Sequence, residues 1–250
     1  RSHRWRTAEN SSAYLVDHLE AGMDLLDVGC GPATLTADLA ARVAPGRVVG
    51  VDTAEAVLAE ARRTVSSMSN VEMALGDVYH LDYGNGSFDL VHAHQVLQHL
   101  TDPVAALKEM ARVCRPGGLV AVRDADYQAM TWWPQSGLGR WMEVYQAVAR
   151  ANGAEPDAGR RLLGWAHAAG LADVVATASV WCFATPDDRH WWGDLWAERV
   201  VASRLAEQAV EKSIITSGEL IEMAEAWRRW AAHPDGWFSV VHGEILARVG

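Results

Sequence analysis

The stretch LLDVGCGPATLT, from Leu25 to Thr36, decides how the chain is read. LLDV is an apolar burst of strand length, and TLTADLAARV beyond the turn repeats its apolar residues at helical spacing. Between them, Gly29 and Gly31 let the backbone pass close to a ligand where a Cβ would clash. The segment is therefore strand, tight turn, helix, with Asp27 at the carboxyl end of the strand.

Working outward, RVVGVD (47–52) is a second short strand ending on Asp52, followed by a helix-forming run over 54–67. VEMALGD (71–77) is a third strand ending on Asp77, SFDLVHAHQVLQHL (87–100) a fourth and LVAVRDAD (119–126) a fifth. The helix before the fifth opens with Pro103 and closes at Pro116-Gly117-Gly118. Upstream, TAENSSAYLVDHL (7–19) predicts one short helix. Strands alternating with helices imply an α/β doubly wound, mostly parallel sheet covered on both faces, whose ligand lies outside the carboxyl ends of the strands.

The chain has 250 residues, half of them apolar, with no run approaching a membrane span and a net charge of -10. That balance repels phosphate backbones, and no basic strip offsets it, so nucleic acid is not an expected partner. Cys30, Cys114 and Cys182 are isolated in sequence, which predicts reduced thiols. His92, His94 and His99 fall in one segment, but no acid or cysteine is spaced to complete a metal set, so no metal is expected. The opening RSHRWRTAEN has no apolar signal core, and the expected location is cytoplasmic.

Asp52 follows Asp27 by 25 residues, at a strand end where a carboxylate can accept both hydroxyls of a ribose. A dinucleotide would require Gly-x-Gly-x-x-Gly, and the third position here is Thr34. Asp27 suits a cationic amino group better than a pyrophosphate, so the spacing points to an ammonium-bearing nucleoside.

LLDVGCGPATLT, VVGVD, LGDVYHLDYGNGSFDLVHAHQVLQHLTDP and LKEMARVCRPGG, in this order, resemble the class I S-adenosylmethionine-dependent methyltransferases, especially the ubiquinone/menaquinone-type small-molecule branch. The resemblance covers about Thr7 to Asp126. It implies a Rossmann-like sheet of seven strands, with S-adenosylmethionine as cofactor and S-adenosylhomocysteine as product. It places Gly29, Cys30 and Gly31 under the methionine part and Asp27 near its ammonium. Asp52 and Thr53 fall at the ribose, Asp77 and Val78 at the adenine, and His94 and Gln95 beside the sulfonium. HRWRTAEN resembles a cap folded over the cofactor, with Arg6 and Tyr14 as contacts. The third glycine usual in the family is Ala33 here.

On this reading, residues 1–130 form the cofactor-binding core with its cap helix, and 131–186 complete the sheet. A helical lid follows over 187–236, and 237–250 supply the last strand. Eleven of the twelve tryptophans follow Asp126. Trp132, Trp133, Trp191, Trp192 and Trp196 are expected to face a flat aromatic, apolar or cationic substrate. His94 is the first candidate for a general base, with Asp126 and Tyr127 behind it. The expected partner is a small molecule, methylated on oxygen, nitrogen or carbon, with no membrane partner; a homodimer stays open. Three other readings also stay open: a cofactor-bound enzyme of different reaction, such as a cyclase; a non-enzymatic cofactor-binding protein; and a nicotinamide dehydrogenase, which Thr34 disfavours. The richness in Ala, Val, Arg, Gly and Trp suits a bacterial tailoring enzyme of natural product biosynthesis.

Overall fold

The computed structural model describes residues 5–250. In chain order the elements are α1 (Ala8–Ser11), α2 (Ala13–Val16), β1 (Leu25–Val28), α3 (Thr34–Val43), β2 (Val48–Asp52), α4 (Glu55–Thr64), β3 (Val71–Leu75), β4 (Phe88–His94), α5 (Pro103–Val113), β5 (Cys114–Ala125), β6 (Thr131–Trp133), α6 (Leu138–Ala151), α7 (Leu162–Ala168), β7 (Asp173–Phe183), α8 (Pro186–Ala202), α9 (Arg204–Glu211), α10 (Ser217–Ala232) and β8 (Trp237–Arg248). They divide into two units, one of Arg1–Asp124, Ala158–Ser179 and His242–Gly250, the other of Ala125–Asp157 and Val180–Val241.

In the first unit the strands lie in the order β3-β2-β1-β4-β5, each pair parallel, with β8 beyond β5 and β7 paired to β8. The two-residue period of a strand sends neighbouring apolar side chains to opposite faces. Leu25, Val48 and Leu90 pack with Leu15, Leu35 and Leu39 on one face. Leu26, Val49 and Val91 pack with Leu107 and Met110 of α5 and Leu162 of α7 on the other. Burying each such side chain contributes about 1.5–3 kcal/mol. This is the Rossmann-like, mostly parallel α/β fold that the alternating pattern predicts.

The single helix expected over 7–19 is instead two turns that break at Ser12 (φ -143°). Thr7 and Asn10 cap the first turn reciprocally. Ser12 leaves the helix because its hydroxyl is buried against His92, at 3.1 Å.

An ion pair lies inside the same unit. Arg123 of β5 is 1% exposed and donates from Nε to Glu244 of β8 at 3.0 Å. Ser179 Oγ accepts from the guanidinium and donates to Glu244, and Thr177 donates to the second carboxylate oxygen. The strands β5, β7 and β8 are thus joined by side chains as well as by backbone.

In the second unit, β6 pairs antiparallel with the start of β8, Thr131 opposite Ser239 and Trp133 opposite Trp237. With this three-residue strand the sheet has eight strands among the described residues, one more than the seven expected. Three helices fall in the run expected to be helical: α8 capped by Thr185, α9, and α10 capped by Thr216 and Glu219. Trp141 of α6, Trp196 of α8, Trp227 and Trp230 of α10 and Phe238 of β8 pack edge and face, with ring centroids 4.7–6.1 Å apart.

Removing one member of the Arg123–Glu244 pair strands a buried charge. Arg123→Met is expected to cost about 3–5 kcal/mol in urea denaturation, and Arg123→Met/Glu244→Leu to recover most of that loss. A double variant no more stable than the single one would show that the pair is not the source.

Candidate active site

The turn that decided the reading of the sequence is built from left-handed residues. Gly29 and Gly31 have φ of 66° and 56°, and Ala33 follows at 62°. A Cβ on Gly29 would also lie 2.5 Å from the Val96 side chain. The turn brings the Gly31 N–H to Asp52 Oδ2 at 3.1 Å, while Oδ1 accepts from Ala54 at 3.0 Å. Asp52 is thereby fixed at the end of β2, with lone pairs left toward the space above the strands.

That space is a cleft of about 880 Å³. Gly29, Gly31, Asp52, Thr53, Asp77 and Val78 line it from β1 through the loop after β3. Arg6, His94 and Gln95 line it as well. Asp77 accepts from the Tyr79 N–H at 3.0 Å, which holds that loop in shape. Tyr79, Glu60 and His99 also line the cleft, and nothing in the sequence pattern singled them out for it. A smaller hollow beside the turn is lined by Arg6, Asp27, Gly29, Cys30, Thr34 and His94.

Gln95 is the residue after β4 and has a left-handed φ of 55°, which a side chain disfavours. Its amide is held from both ends: Arg6 donates to Oε1, and Nε2 meets His242 Nε2 at 2.9 Å. His94 is buried, with its ring stacked 6.3 Å from that of His242. Burial, with Arg6 and Arg123 nearby, holds its pKa well below the usual imidazole range. It is therefore uncharged at neutral pH. Burial likewise pushes the Cys30 thiol far up, so that it is not a nucleophile.

One expected contact falls elsewhere. Tyr14 does not line the cleft: its ring packs beside Leu15, Leu25 and Leu39 on the sheet face. Its hydroxyl is buried, and burial raises its pKa well above the usual phenol range. His3 and Arg4 of the expected cap lie outside the described residues, while Arg6 reaches the cleft. Asp124, at the end of β5, is fully buried. It accepts from the Gln98 N–H at 3.2 Å, and Oδ2 has no hydrogen-bond partner among the described residues. Burial pushes this carboxyl up to about 7.

The remaining candidates belong to the second unit. Asp126 accepts from the Ala129 N–H and caps the turn at Tyr127–Ala129. Tyr127 stacks on Tyr145 at 3.8 Å. Trp192 stacks on Phe183, Trp132 on Phe238 and Trp196 on Trp227, and Arg199 covers another face of Trp196. Trp192 and Trp196 are interior residues, because their rings are spent on one another. Trp191 is half-buried and Trp133 exposed.

A glycine turn, a carboxylate at the next strand end and a cleft above the parallel strands define a nucleoside-binding α/β protein. The methyltransferase domain family matches residues 26–122. An uncharacterized methyltransferase of Schizosaccharomyces pombe is 35% identical over 98% of this chain and 91% of its own length. A demethylmenaquinone methyltransferase of Staphylococcus aureus is 40% identical over 46% of this chain and 48% of its own. Among solved structures, the YcgJ protein of Bacillus subtilis shares the fold with a TM-score of 0.61 at 15% identity, over 94% and 96% of the two chains. The chain belongs to the class I S-adenosylmethionine-dependent methyltransferases, and S-adenosylmethionine is its cofactor.

Two outcomes are expected. Asp52→Ala should weaken S-adenosylmethionine about tenfold or more in isothermal titration, the scale of losing hydrogen bonds to a charged group; an unchanged dissociation constant would remove Asp52 from the site. The folded-state pKa of Asp124 exceeds the unfolded 3.8, so the folded chain holds the extra proton and loses stability as pH rises from 3.8 through about 7. Asp124→Asn should therefore stabilise the protein by a few kcal/mol at pH above 7 and by little near pH 4; a pH-independent difference would refute this.

Proposed function

We propose that the chain methylates an oxygen, nitrogen or carbon atom of a small aromatic or quinone-like acceptor from quinone or secondary metabolism. His94 receives the proton that the acceptor gives up. The observation carrying this reading is His94 itself: buried at the end of β4, on the wall of the cleft, and held uncharged. A base must be unprotonated before it can act, and burial supplies that state at neutral pH.

Bound in the cleft, S-adenosylmethionine supplies an electrophilic methyl group. The chain's residues do the rest. Asp52 takes the ribose hydroxyls with Thr53 beside it, and Asp77 and Val78 hold the adenine. Gly29, Cys30 and Gly31 pass under the methionine part, Asp27 meets its ammonium and Arg6 its carboxylate. Gln95, clamped by Arg6 and His242, flanks the sulfonium. Displacement in line at a methyl carbon needs alignment and exclusion of water more than covalent help.

The partial likeness to demethylmenaquinone methyltransferases supports a quinone-like acceptor. The choice of acceptor rests on sequence outside residues 26–122, where Trp133 is exposed and Trp132 and Trp191 are half-buried. Asp126 and Tyr127 are committed to a turn cap and a ring stack, which leaves the base role to His94. No helix among the described residues is long and apolar enough to cross a membrane; the reading places the enzyme in the cytoplasm.

The test is turnover with S-adenosylmethionine and a panel of hydroxyquinones, phenols and amines, read as methyl gain by mass spectrometry. His94→Ala should lower kcat about 100-fold while leaving cofactor affinity nearly unchanged. Because the uncharged ring is required and its pKa is lowered, wild-type kcat should stay flat down through pH 6.5 and fall only below it. Equal losses in kcat and cofactor affinity would make His94 a cofactor contact instead.

A further inference from the structure

β1 and β4 lie in parallel register with Asp27 directly beside His92, so the two side chains share a face. His92 Nδ1 lies 2.7 Å from Asp27 Oδ1, and Asp27 Oδ2 accepts from Thr36 Oγ1 at 2.6 Å. A carboxylate only accepts, so Nδ1 carries the proton of this bond. On the other side of the ring, Nε2 lies 3.1 Å from Ser12 Oγ. The order serine, histidine, aspartate matches that of a hydrolytic triad. It cannot work as one here: Ser12 and His92 are 0% exposed, and neither lines the cleft or the small hollow.

Asp27 does line the small hollow, with Gly29 and His94. We propose that His92 is a positioning residue for cofactor binding: it holds the Asp27 carboxylate in place and facing the hollow, where that carboxylate meets the ammonium group of S-adenosylmethionine. The inference rests on the placement of Asp27 in the proposed function. A buried carboxylate needs donors on its oxygens, and they fix it in one rotamer. His92 and Thr36 supply one donor to each oxygen, and each oxygen keeps a lone pair for the ligand. Ser12 adds a second role. Its hydroxyl fastens the break between α1 and α2 to the same imidazole, and the segment just before that break carries Arg6 into the hollow. One ring thus secures the residues that face both charges of the amino-acid end of the cofactor.

The test compares two ligands by isothermal titration. S-adenosylmethionine carries the amino-acid end, whereas 5′-methylthioadenosine has the same nucleoside and lacks it. His92→Phe should weaken S-adenosylmethionine about tenfold and leave 5′-methylthioadenosine within about twofold, the scale of one charge-assisted hydrogen bond. His92→Asn, which places an amide N–H near the Nδ1 position, should restore S-adenosylmethionine to within about threefold of wild type. Should His92→Phe fail to fold, Ser12→Ala gives the same comparison at smaller amplitude. Equal weakening of both ligands would mean that His92 merely supports the fold, and would overturn the proposal. Asp27→Asn separates the two layers of the argument. If it discriminates between the ligands and the His92 variants do not, the relay fails and the Asp27 assignment stands. If Asp27→Asn treats both ligands alike, the Asp27 placement fails and the relay falls with it.

Discussion

The bond from the Gly31 N–H to the Asp52 carboxylate is the contact on which the cleft depends. It ties the turn after β1 to the end of β2, and it forms because Gly29, Gly31 and Ala33 each take a left-handed conformation in the space of five residues. Two of these cost little in glycine. The third carries a Cβ, for which the left-handed region costs about 1–2 kcal/mol. Ala33 is fully buried at the N-cap of α3, packed with Leu58, Ala61 and Met73, and that packing holds it there.

The two histidines on one face of β4 meet different fates for a reason that lies in the register. His92 stands beside Asp27, inside the paired region. The last pair between β1 and β4 is Val28 with Ala93, so His94 projects past the end of β1 with no strand residue beside it there. One ring is absorbed into a chain of hydrogen bonds and the other faces the cleft. A separation of two residues decides which of them meets ligand.

Much of this was legible in the sequence. The β-branched runs, the glycines and the acids at positions 27, 52 and 77 give the strands, their order of use and the side of the sheet where the cleft opens, because each depends on local spacing. The break at Ser12 was not legible: its cause is a histidine 80 residues away, and the local pattern favours a continuous helix. The same holds for Arg123, which reads as a solvent-seeking residue until Glu244 is brought beside it. β6 was missed because three residues are too few to show a period. The tryptophans were legible as a cluster but not as a core, since sequence density does not reveal which indole faces are already covered.

Gln95 and His242 are 147 residues apart, and their bond joins β4 to a strand made long after it. At synthesis rates of about 5–20 residues per second, roughly 7 to 30 s separate the emergence of the two side chains. During that interval the five parallel strands and the glycine turn can already be assembled on the ribosome, while the edge of β5 that later receives β8 stays bare. The nascent chain thus carries an uncapped sheet edge until β8 arrives.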